Sequence, residues 1–270
     1  MDEDLPIRPL ELLYESPDLQ AQELPAGLQE LYAGGLALEE PRLYANFVST
    51  IDGVVANPAL PRSNSLIAAG SDGDRFVMGL LRAYADCVLI GAGTLAGSPR
   101  GTWLPERVYP PAAAEFAELR RLRGRPAKPE VAIVTGRGSV APDHPILASG
   151  ALVLTSAEGA ARLEGRLPPG SELVTLGADT RLDPAAVVQA LHERGHKLVL
   201  SEAGPHTFGS LLTAALVDDL FLTISPLLAG RGNTTYGLVE SAALLPPGVP
   251  ARVLSVRRHE QHLFLRYAFG

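Results

Sequence analysis

The chain has 270 residues, of which 46% are hydrophobic and 20% charged, so it can bury roughly three quarters of its unfolded surface in one core. Its formal net charge of -7 and pI near 5.4 disfavour nucleic acid or an anionic membrane as a partner, because both select basic faces. The acidic residues 1–4 lead into no apolar segment, and no apolar run reaches the length of a membrane span. We therefore expect a cytoplasmic protein that acts on a small molecule.

The single cysteine, Cys87, lies in an apolar run and has no partner for a disulfide within the chain. Zinc sites built from several cysteines are excluded for the same reason. We expect a buried thiol at Cys87 and no bound metal.

The first 40 residues are rich in Glu, Leu and Pro and show no sustained period, so we predict an N-terminal arm with short helices, followed by one domain at 41–270. From Leu43 onward, apolar runs alternate with amphipathic stretches, which is typical of βα units around a mostly parallel sheet. The predicted strands are 43–49, 86–91, 131–135, 151–155, 172–176 and 197–201. The predicted helices are 72–84, 112–122, 156–163, 184–194 and 206–216, with Ser71, Ser156 and Asp183 as N-caps.

Near the end of the chain, the alternation of strands and helices gives way to strands alone. Strands are predicted at 219–225, 252–258 and 262–268 with no helix between them, which favours antiparallel pairing. The proline-rich stretches Pro105–Pro111 and Pro246–Pro250 are predicted surface loops. The fold class is therefore α/β, with a mixed, mostly parallel sheet whose C-terminal strands are antiparallel.

Two strand ends carry groups that suit a phosphate, and ligands of open α/β sheets bind beyond the carboxyl ends of strands. The first is Gly91-Ala92-Gly93-Thr94, where Gly91 and Gly93 allow close backbone approach and Thr94 offers a hydroxyl, although a tight turn would need the same glycines. The second runs from Glu202, Ala203 and Gly204 into a helix that starts with Pro205, His206 and Thr207. Free N–H groups of that first turn favour a diphosphate, and a well-capped core helix is the alternative.

A third strand ends in Thr135, Gly136 and Arg137, a hydroxyl, a glycine and a cation that together suit a 2′-phosphate. Taken alone, Arg137 is better explained as an ordinary solvated loop residue, because surface arginines are common. The opening strand carries Asn46, Thr50 and Asp52, whose polar groups are candidates for lining a pocket. Asp52-Gly53 is also a common turn dipeptide.

In this order, the four junctions resemble the pyrimidine reductase family of riboflavin biosynthesis. Thr50-Ile51-Asp52-Gly53 is similar to the family's Ser-Leu-Asp-Gly strand end, and Glu202-Ala203-Gly204-Pro205 to its Glu-Gly-Gly-Pro signature. Residues 81–86 and 91–94 resemble its Leu-Arg-Ala-x-Ala-Asp stretch and Gly-x-Gly-Thr turn. Residues 216–220 and 224–226 resemble its Leu-x-Asp-Glu-Leu and Ile-x-Pro segments, so the likeness spans about residues 42–268.

The resemblance implies a dihydrofolate reductase-like three-layer sandwich, NADPH as cofactor and a homodimer. It further implies hydride transfer to the ribosyl C1′ of 5-amino-6-(5-phosphoribosylamino)uracil. Cofactor binding is expected at Gly91, Gly93, Thr94, Thr135, Gly136, Arg137, Glu202, Ala203, Gly204, Pro205, His206 and Thr207. Substrate binding is expected at Asn46, Thr50 and Asp52, with Asp52 and Glu202 as the candidate catalytic residues.

Two departures from the family pattern bear on these expectations. Gly97-Ser98-Pro99 stands where the family commonly has Asp-Asp-Pro, which removes one substrate-binding carboxylate, and Ala203 replaces a signature glycine. The alternatives are a related NADPH reductase acting on a pterin, a folate or another carbonyl or imine, and a cofactor-binding regulatory protein without activity. Deamination is not expected, because the cysteines of a zinc deaminase are missing.

Overall fold

The computed structural model describes residues 7–60, 63–240, 244 and 247–270. The strands are β1 (Glu11–Glu15), β2 (Arg42–Ser49), β3 (Cys87–Gly91), β4 (Glu130–Thr135), β5 (Leu152–Thr155), β6 (Glu172–Thr175), β7 (Leu198–Ser201), β8 (Asp219–Ile224), β9 (Ala251–His259) and β10 (His262–Phe269). The helices are α1 (Ala26–Tyr32), α2 (Ser63–Ile67), α3 (Asp72–Tyr84), α4 (Ala92–Gly97), α5 (Pro105–Val108), α6 (Ala113–Leu122), α7 (Pro145–Ala148), α8 (Ala157–Leu163), α9 (Pro184–Glu193) and α10 (Pro205–Thr213).

In this part of the chain the strands form a ten-stranded sheet in the order β1-β9-β10-β8-β2-β7-β3-β4-β5-β6. The strands from β8 to β6 in that order run parallel to one another. Strands β10, β9 and β1 continue the sheet in antiparallel pairing, which confirms the mixed sheet and its antiparallel closing strands. The segments that follow β2, β3, β4, β7 and β8 therefore all leave the sheet at the same edge.

Helices cover both faces of the sheet. On one face, Leu28 of α1, Phe76 and Leu80 of α3 and Phe116 of α6 belong to one buried cluster. On the other face, Val187 and Leu191 of α9 join Phe208 and Leu211 of α10 in a second buried cluster. Two apolar faces on one sheet require a helical layer on each side, so the three-layer sandwich is confirmed.

The three N-cap residues predicted from the sequence begin helices in the structure. The Ser71 hydroxyl accepts the Asp74 N–H at 3.1 Å, and the Ser156 hydroxyl accepts that of Gly159 at 3.1 Å. Asp183 Oδ1 accepts the Ala185 N–H at 2.9 Å, so all three predicted N-caps are confirmed. Cys87 is fully buried, and burial raises the pKa of its thiol.

The prediction of a surface loop at Pro105–Pro111 is wrong. This stretch forms α5 and a 3-10 turn at Pro110–Ala112, and Pro105, Tyr109 and Ala112 are buried. Proline is accepted there because the first turn of a helix needs no N–H at that position. In the second stretch, Pro246 lies outside the described residues, and residues 247–250 belong to no helix or strand.

The N-terminal segment is joined to the rest of the chain. Strand β1 pairs with β9 at the edge of the sheet, and Leu28 and Leu31 of α1 are buried in the main core. The sequence of β1 does not predict a strand, because it shows no alternation of apolar and polar residues. In the structure, its side chains are exposed on both faces of the sheet. Within the described residues no helix has the length and apolar character needed to cross a bilayer.

Candidate active site

The junctions after β3 and β7 meet at the carboxyl edge of the sheet. The Glu202 N–H donates to the Leu89 carbonyl at 2.9 Å, and the Thr94 hydroxyl donates to the Glu202 carbonyl at 3.5 Å. Strand β7 lies between β2 and β3, so the segment after β7 is flanked by both neighbours. Two of the predicted cofactor-binding segments are therefore in direct contact.

The N-terminus of α10 faces the turn after β3. Gly204 is its N-cap, with φ -64° and ψ 174°, and no side chain caps this end of the helix. A Cβ built on Gly204 would have the Thr94 hydroxyl as its nearest neighbour, at 3.8 Å, and one built on Gly91 would lie 3.6 Å from the Thr207 hydroxyl. Gly91 in turn is the uncapped N-cap of α4. This arrangement brings the positive ends of two helices and two hydroxyls together, which suits an anionic group.

The turn after β4 is held largely by the protein's own contacts. The Thr135 hydroxyl accepts the Ser139 N–H at 2.9 Å, and a Cβ on Gly136 would collide with the Thr180 carbonyl oxygen. Both residues thus have packing roles, and their part in cofactor binding stays a prediction. Arg137 is exposed. A second exposed cation, Arg181, follows Thr180 and is not among the residues predicted from the sequence.

Glu202 is engaged in an ion pair. Its two carboxylate oxygens accept from the Arg82 guanidinium at 2.8 and 2.6 Å, and both side chains are only 10% exposed. A bidentate pair of this kind fixes the plane of the carboxylate. The contact favours a positioning role for Glu202, and its predicted catalytic role stays a prediction.

Asp52 anchors a distant loop. Its carboxylate accepts from the Thr50 hydroxyl at 2.6 Å and from the backbone N–H groups of Ala229 and Gly230 at 3.1 and 2.7 Å. These hydrogen bonds, the Thr50 hydroxyl first, lower the pKa of Asp52 to about 2. The group is therefore ionised at neutral pH and serves as a hydrogen-bond acceptor.

The loop that Asp52 holds, residues 225–240, is called here the connecting loop. Its Tyr236 exchanges backbone hydrogen bonds with the segment after β2, to Val55 at 2.9 Å and Ala56 at 2.8 Å. Further along, the Glu240 N–H donates to the Pro205 carbonyl at 3.2 Å, and the Tyr236 ring meets the His206 ring edge to face at 5.1 Å. The connecting loop therefore links the Asp52 side of the site to α10.

One buried carboxyl group, that of Asp74, is not among the residues predicted from the sequence. Asp74 is buried at the start of α3 beside Thr223 of β8. Burial raises its pKa to about 6, with the Thr223 hydroxyl opposing and the Glu202 charge adding to the rise. Asn46, a predicted substrate residue, lines a small cavity together with Thr223 and Val77. The general signal that marks such a group, a carboxyl in an apolar setting, is invisible before the chain is folded.

A nicotinamide cofactor fits the residues present. The uncapped N-terminus of α10 offers N–H groups to a diphosphate, the Gly91–Thr94 turn stands opposite it, and Arg137 is an exposed cation at the end of the neighbouring strand. Fold and candidate site together define a three-layer α/β protein with a mixed sheet, whose candidate ligand site lies at the carboxyl edge of that sheet.

The chain belongs to the RibD C-terminal domain family, whose profile matches residues 41–260. It is 26% identical over 199 residues to a 2,5-diamino-6-ribosylamino-4(3H)-pyrimidinone 5′-phosphate reductase from Archaeoglobus fulgidus, which covers 72% of this chain and 85% of the relative. A pyrimidine reductase-like protein from Corynebacterium diphtheriae has a similar structure, with a TM-score of 0.66, 22% identity and coverage of 85% and 92% of the two chains. A deaminase/reductase from Thermotoga maritima has a TM-score of 0.60 at 22% identity, covering 86% of this chain and 57% of its own. The family resemblance is thereby confirmed.

Proposed function

We propose that the protein is an NADPH-dependent reductase that transfers a hydride to the ribosyl C1′ of 5-amino-6-(5-phosphoribosylamino)uracil. The observation that carries the proposal is the contact between the uncapped α10 N-terminus and the Gly91–Thr94 turn, in a chain of this family. The name of the Archaeoglobus relative, a reductase of a ribosylaminopyrimidine 5′-phosphate, supports the same substrate class.

On the cofactor side, the start of α10 and the Thr94 and Thr207 hydroxyls would hold the diphosphate, and Arg137 would meet the 2′-phosphate. The Arg82–Glu202 ion pair holds the segment after β7 in place between them. When bound, NADPH supplies the hydride, and the protein supplies orientation.

On the substrate side, Thr50, Asp52 and the connecting loop form one hydrogen-bonded unit beside Asn46 of β2. The segment that departs from the family pattern is itself anchored, because the Ser98 carbonyl lies 2.9 Å from Nε2 of His144. These contacts would fix the substrate pocket beside the cofactor site, and such positioning accounts for much of the rate enhancement in hydride transfer.

The test is turnover by the purified protein with NADPH labelled with deuterium at the transferable position. We expect NADPH oxidation that depends on 5-amino-6-(5-phosphoribosylamino)uracil, and a ribitylamino product carrying one deuterium at C1′ by mass spectrometry. Parallel reactions contain the 2,5-diamino pyrimidinone analogue or dihydrofolate. Faster turnover of dihydrofolate would assign the site to a folate, and NADPH binding without turnover of any substrate would make the chain a binding protein.

We also propose that the protein is a homodimer, as the family resemblance implies. The exposed apolar side chains of β1, Leu12, Leu13 and Tyr14, support association at that edge of the sheet. Light scattering of the purified protein measures the mass directly, and a value of 28.5 kDa for the particle would contradict the dimer.

A further inference from the structure

The loop between α4 and α5, residues 98–104, is called here the Trp103 loop. Trp103 is the single tryptophan of the chain; it is buried, and its backbone φ of 51° lies in a region that bulky residues rarely adopt. A Cβ on Gly101 would lie 2.7 Å from the Trp103 ring, so the indole packs directly on the Gly101 backbone. Backbone strain of this kind persists only where the surroundings enforce it, and it clusters at ligand sites.

The surroundings that hold the Trp103 loop are supplied by His144, which lies in the segment between β4 and α7. Its buried ring is 6.1 Å from the Trp103 ring, centroid to centroid. Its Nδ1 accepts the Ile146 N–H at 3.2 Å, so the proton of the neutral imidazole is assigned to Nε2, which donates to the Ser98 carbonyl at 2.9 Å. The same carbonyl accepts the Gly101 N–H at 2.8 Å. Both ring nitrogens of His144 are therefore engaged, and one of them holds the Trp103 loop.

The contact between His144 and Ser98 joins two parts of the proposed cofactor site. Ser98 is the C-cap of α4 and lies about one helical turn beyond Thr94, which belongs to the turn proposed to receive the diphosphate. On the other side, His144 lies in the same segment as Arg137, the cation proposed for the 2′-phosphate. This segment is compact, because the His144 N–H donates to the Ala141 carbonyl at 3.0 Å. The contact therefore connects the diphosphate part of the site to the 2′-phosphate part.

We propose, resting on the NADPH assignment above, that His144 is a positioning residue for the cofactor. Pairing of β3 with β4 fixes the strands, and the contact between His144 and Ser98 fixes the segments beyond them. A ligand that carries both a diphosphate and a 2′-phosphate spans these segments and gains from their alignment, whereas a ligand with one of the two groups does not. His144 thereby strengthens the choice of NADPH over NADH by acting through Ser98 and the Trp103 loop.

Two substitutions separate the two hydrogen bonds of His144. His144→Asn puts an oxygen in the place of Nδ1, so it keeps the cap on the Ile146 N–H, but it has no atom at the position of Nε2. His144→Gln extends its amide nitrogen towards the position of Nε2, so it keeps the contact with Ser98 and loses the cap. His192→Asn makes the first of these changes at an exposed histidine of α9 and is the matched control.

The first test uses the fluorescence of Trp103 in the cofactor-free protein. Acrylamide should quench the wild-type emission weakly, because Trp103 is only 4% exposed. We expect His144→Asn to release the Trp103 loop and raise the quenching constant severalfold, and His144→Gln and His192→Asn to stay close to wild type. Wild-type quenching in folded His144→Asn would mean that the loop is held without His144, which overturns the proposal.

The second test is calorimetric titration with NADPH, NADH and adenosine 2′-monophosphate, the last being a probe for the Arg137 part alone. We expect His144→Asn to raise the NADPH dissociation constant about fivefold, with the constants for the other two ligands within about twofold of wild type. His144→Gln should keep the preference for NADPH although the loss of its cap lowers the melting temperature. A role for His144 in folding alone would leave the ratio of the two cofactor constants unchanged in His144→Asn, and that result contradicts the proposal.

The outcomes separate this proposal from the one on which it rests. A wild-type protein with equal dissociation constants for NADPH and NADH overturns the NADPH assignment, whatever the fluorescence shows. A wild-type protein that prefers NADPH, together with a His144→Asn variant that keeps this preference in full, overturns the role of His144 and leaves the reductase proposal standing.

Discussion

Asp52 illustrates how one side chain links two parts of the site. Its low pKa comes from three hydrogen bonds to the ionised form, so it stabilises the fold above its ordinary pKa near 4, and this contribution is lost as pH falls through about 2. Between pH 5 and 9 its charge is constant. Asp52 therefore anchors the connecting loop, and a rate change near neutral pH has to come from another group.

Replacing Asp52 with Asn tests this anchor. The amide keeps one acceptor oxygen but turns its NH2 group towards the N–H of either Ala229 or Gly230, so the connecting loop loses one of its two acceptor oxygens. We expect NADPH affinity to be retained and kcat/KM to fall by roughly 10²-fold. Steady-state kinetics and NADPH titration of folded protein measure both. Wild-type turnover would make Asp52 a turn residue and move the substrate site towards Asn46 and Thr50.

Arg137 decides the proposed preference for NADPH over NADH. A charge-assisted contact with the 2′-phosphate contributes about 1.5 to 3 kcal/mol to binding. Because Arg137 is exposed to solvent, we expect its contribution to lie at the lower end of that range. Arg137→Ala should therefore reduce the preference about tenfold, as measured by the two dissociation constants. Arg252→Ala, an exposed cation on β9, is the control. Equal constants for the two cofactors in the wild-type protein would refute the assignment.

At the scale of elements, the helix starts determine where an anion can bind. Ser71, Ser156 and Asp183 cap α3, α8 and α9 with their own side chains, whereas α10 begins at a glycine with no side-chain cap. This uncapped helix start is the end proposed to receive the diphosphate. The neighbouring turn after β4 shows the contrast, because Gly136 is required there by the close approach of the Thr180 backbone.

Gly204→Val tests whether Gly204 leaves space for a ligand or is needed for close packing of the backbone. The backbone of Gly204 has an ordinary φ of -64°, and the nearest atom to an added Cβ is 3.8 Å away, so the fold should tolerate the side chain. The valine methyls would occupy the space beside Thr94, and we expect the NADPH dissociation constant to rise at least about tenfold, with a smaller effect for Gly204→Ala. Melting temperature and fluorescence titration measure the two effects. A drop in stability with unchanged affinity would make Gly204 a packing residue.

At the scale of the whole molecule, the N-terminal segment contributes both to the sheet and to the buried core. Residues 7–40 supply the edge strand β1 and several fully buried leucines, among them Leu28, Leu36 and Leu38. We propose that this segment and the remainder of the chain fold as one unit, instead of the arm and domain divided at residue 40. Burial of this much apolar surface makes the segment a large contributor to the core.

Leu28→Ala tests whether the N-terminal segment folds as one unit with the rest of the chain. Truncating a fully buried leucine costs roughly 2–5 kcal/mol, so the free energy of unfolding should fall by that amount in one cooperative transition. Leu13→Ala, in the same segment but 48% exposed, should change it by less than about 1 kcal/mol. Urea unfolding followed by circular dichroism gives both values. An unchanged midpoint for Leu28→Ala would mean that the segment is an independent arm.

The sequence alone determined the features that depend on neighbours in the chain. Alternation of apolar and amphipathic runs located the strands and longer helices, and serine and aspartate before helical stretches located the caps, because both signals arise within a few residues. The glycine-rich junctions after β3 and β7 were found for the same reason. Local signals failed where tertiary packing overrides them, as at Pro105–Pro111 and at the exposed strand β1.

Only the tertiary structure decided which of these groups act together. Asp52 meets Ala229 across 177 positions, and Arg82 meets Glu202 across 120, so no local pattern reveals either pair. The same is true of Asp74 and Thr223, which come together only when α3 packs on the sheet. The charge state of a carboxyl depends on burial and on partners brought from distant parts of the chain, and these exist only in the folded protein.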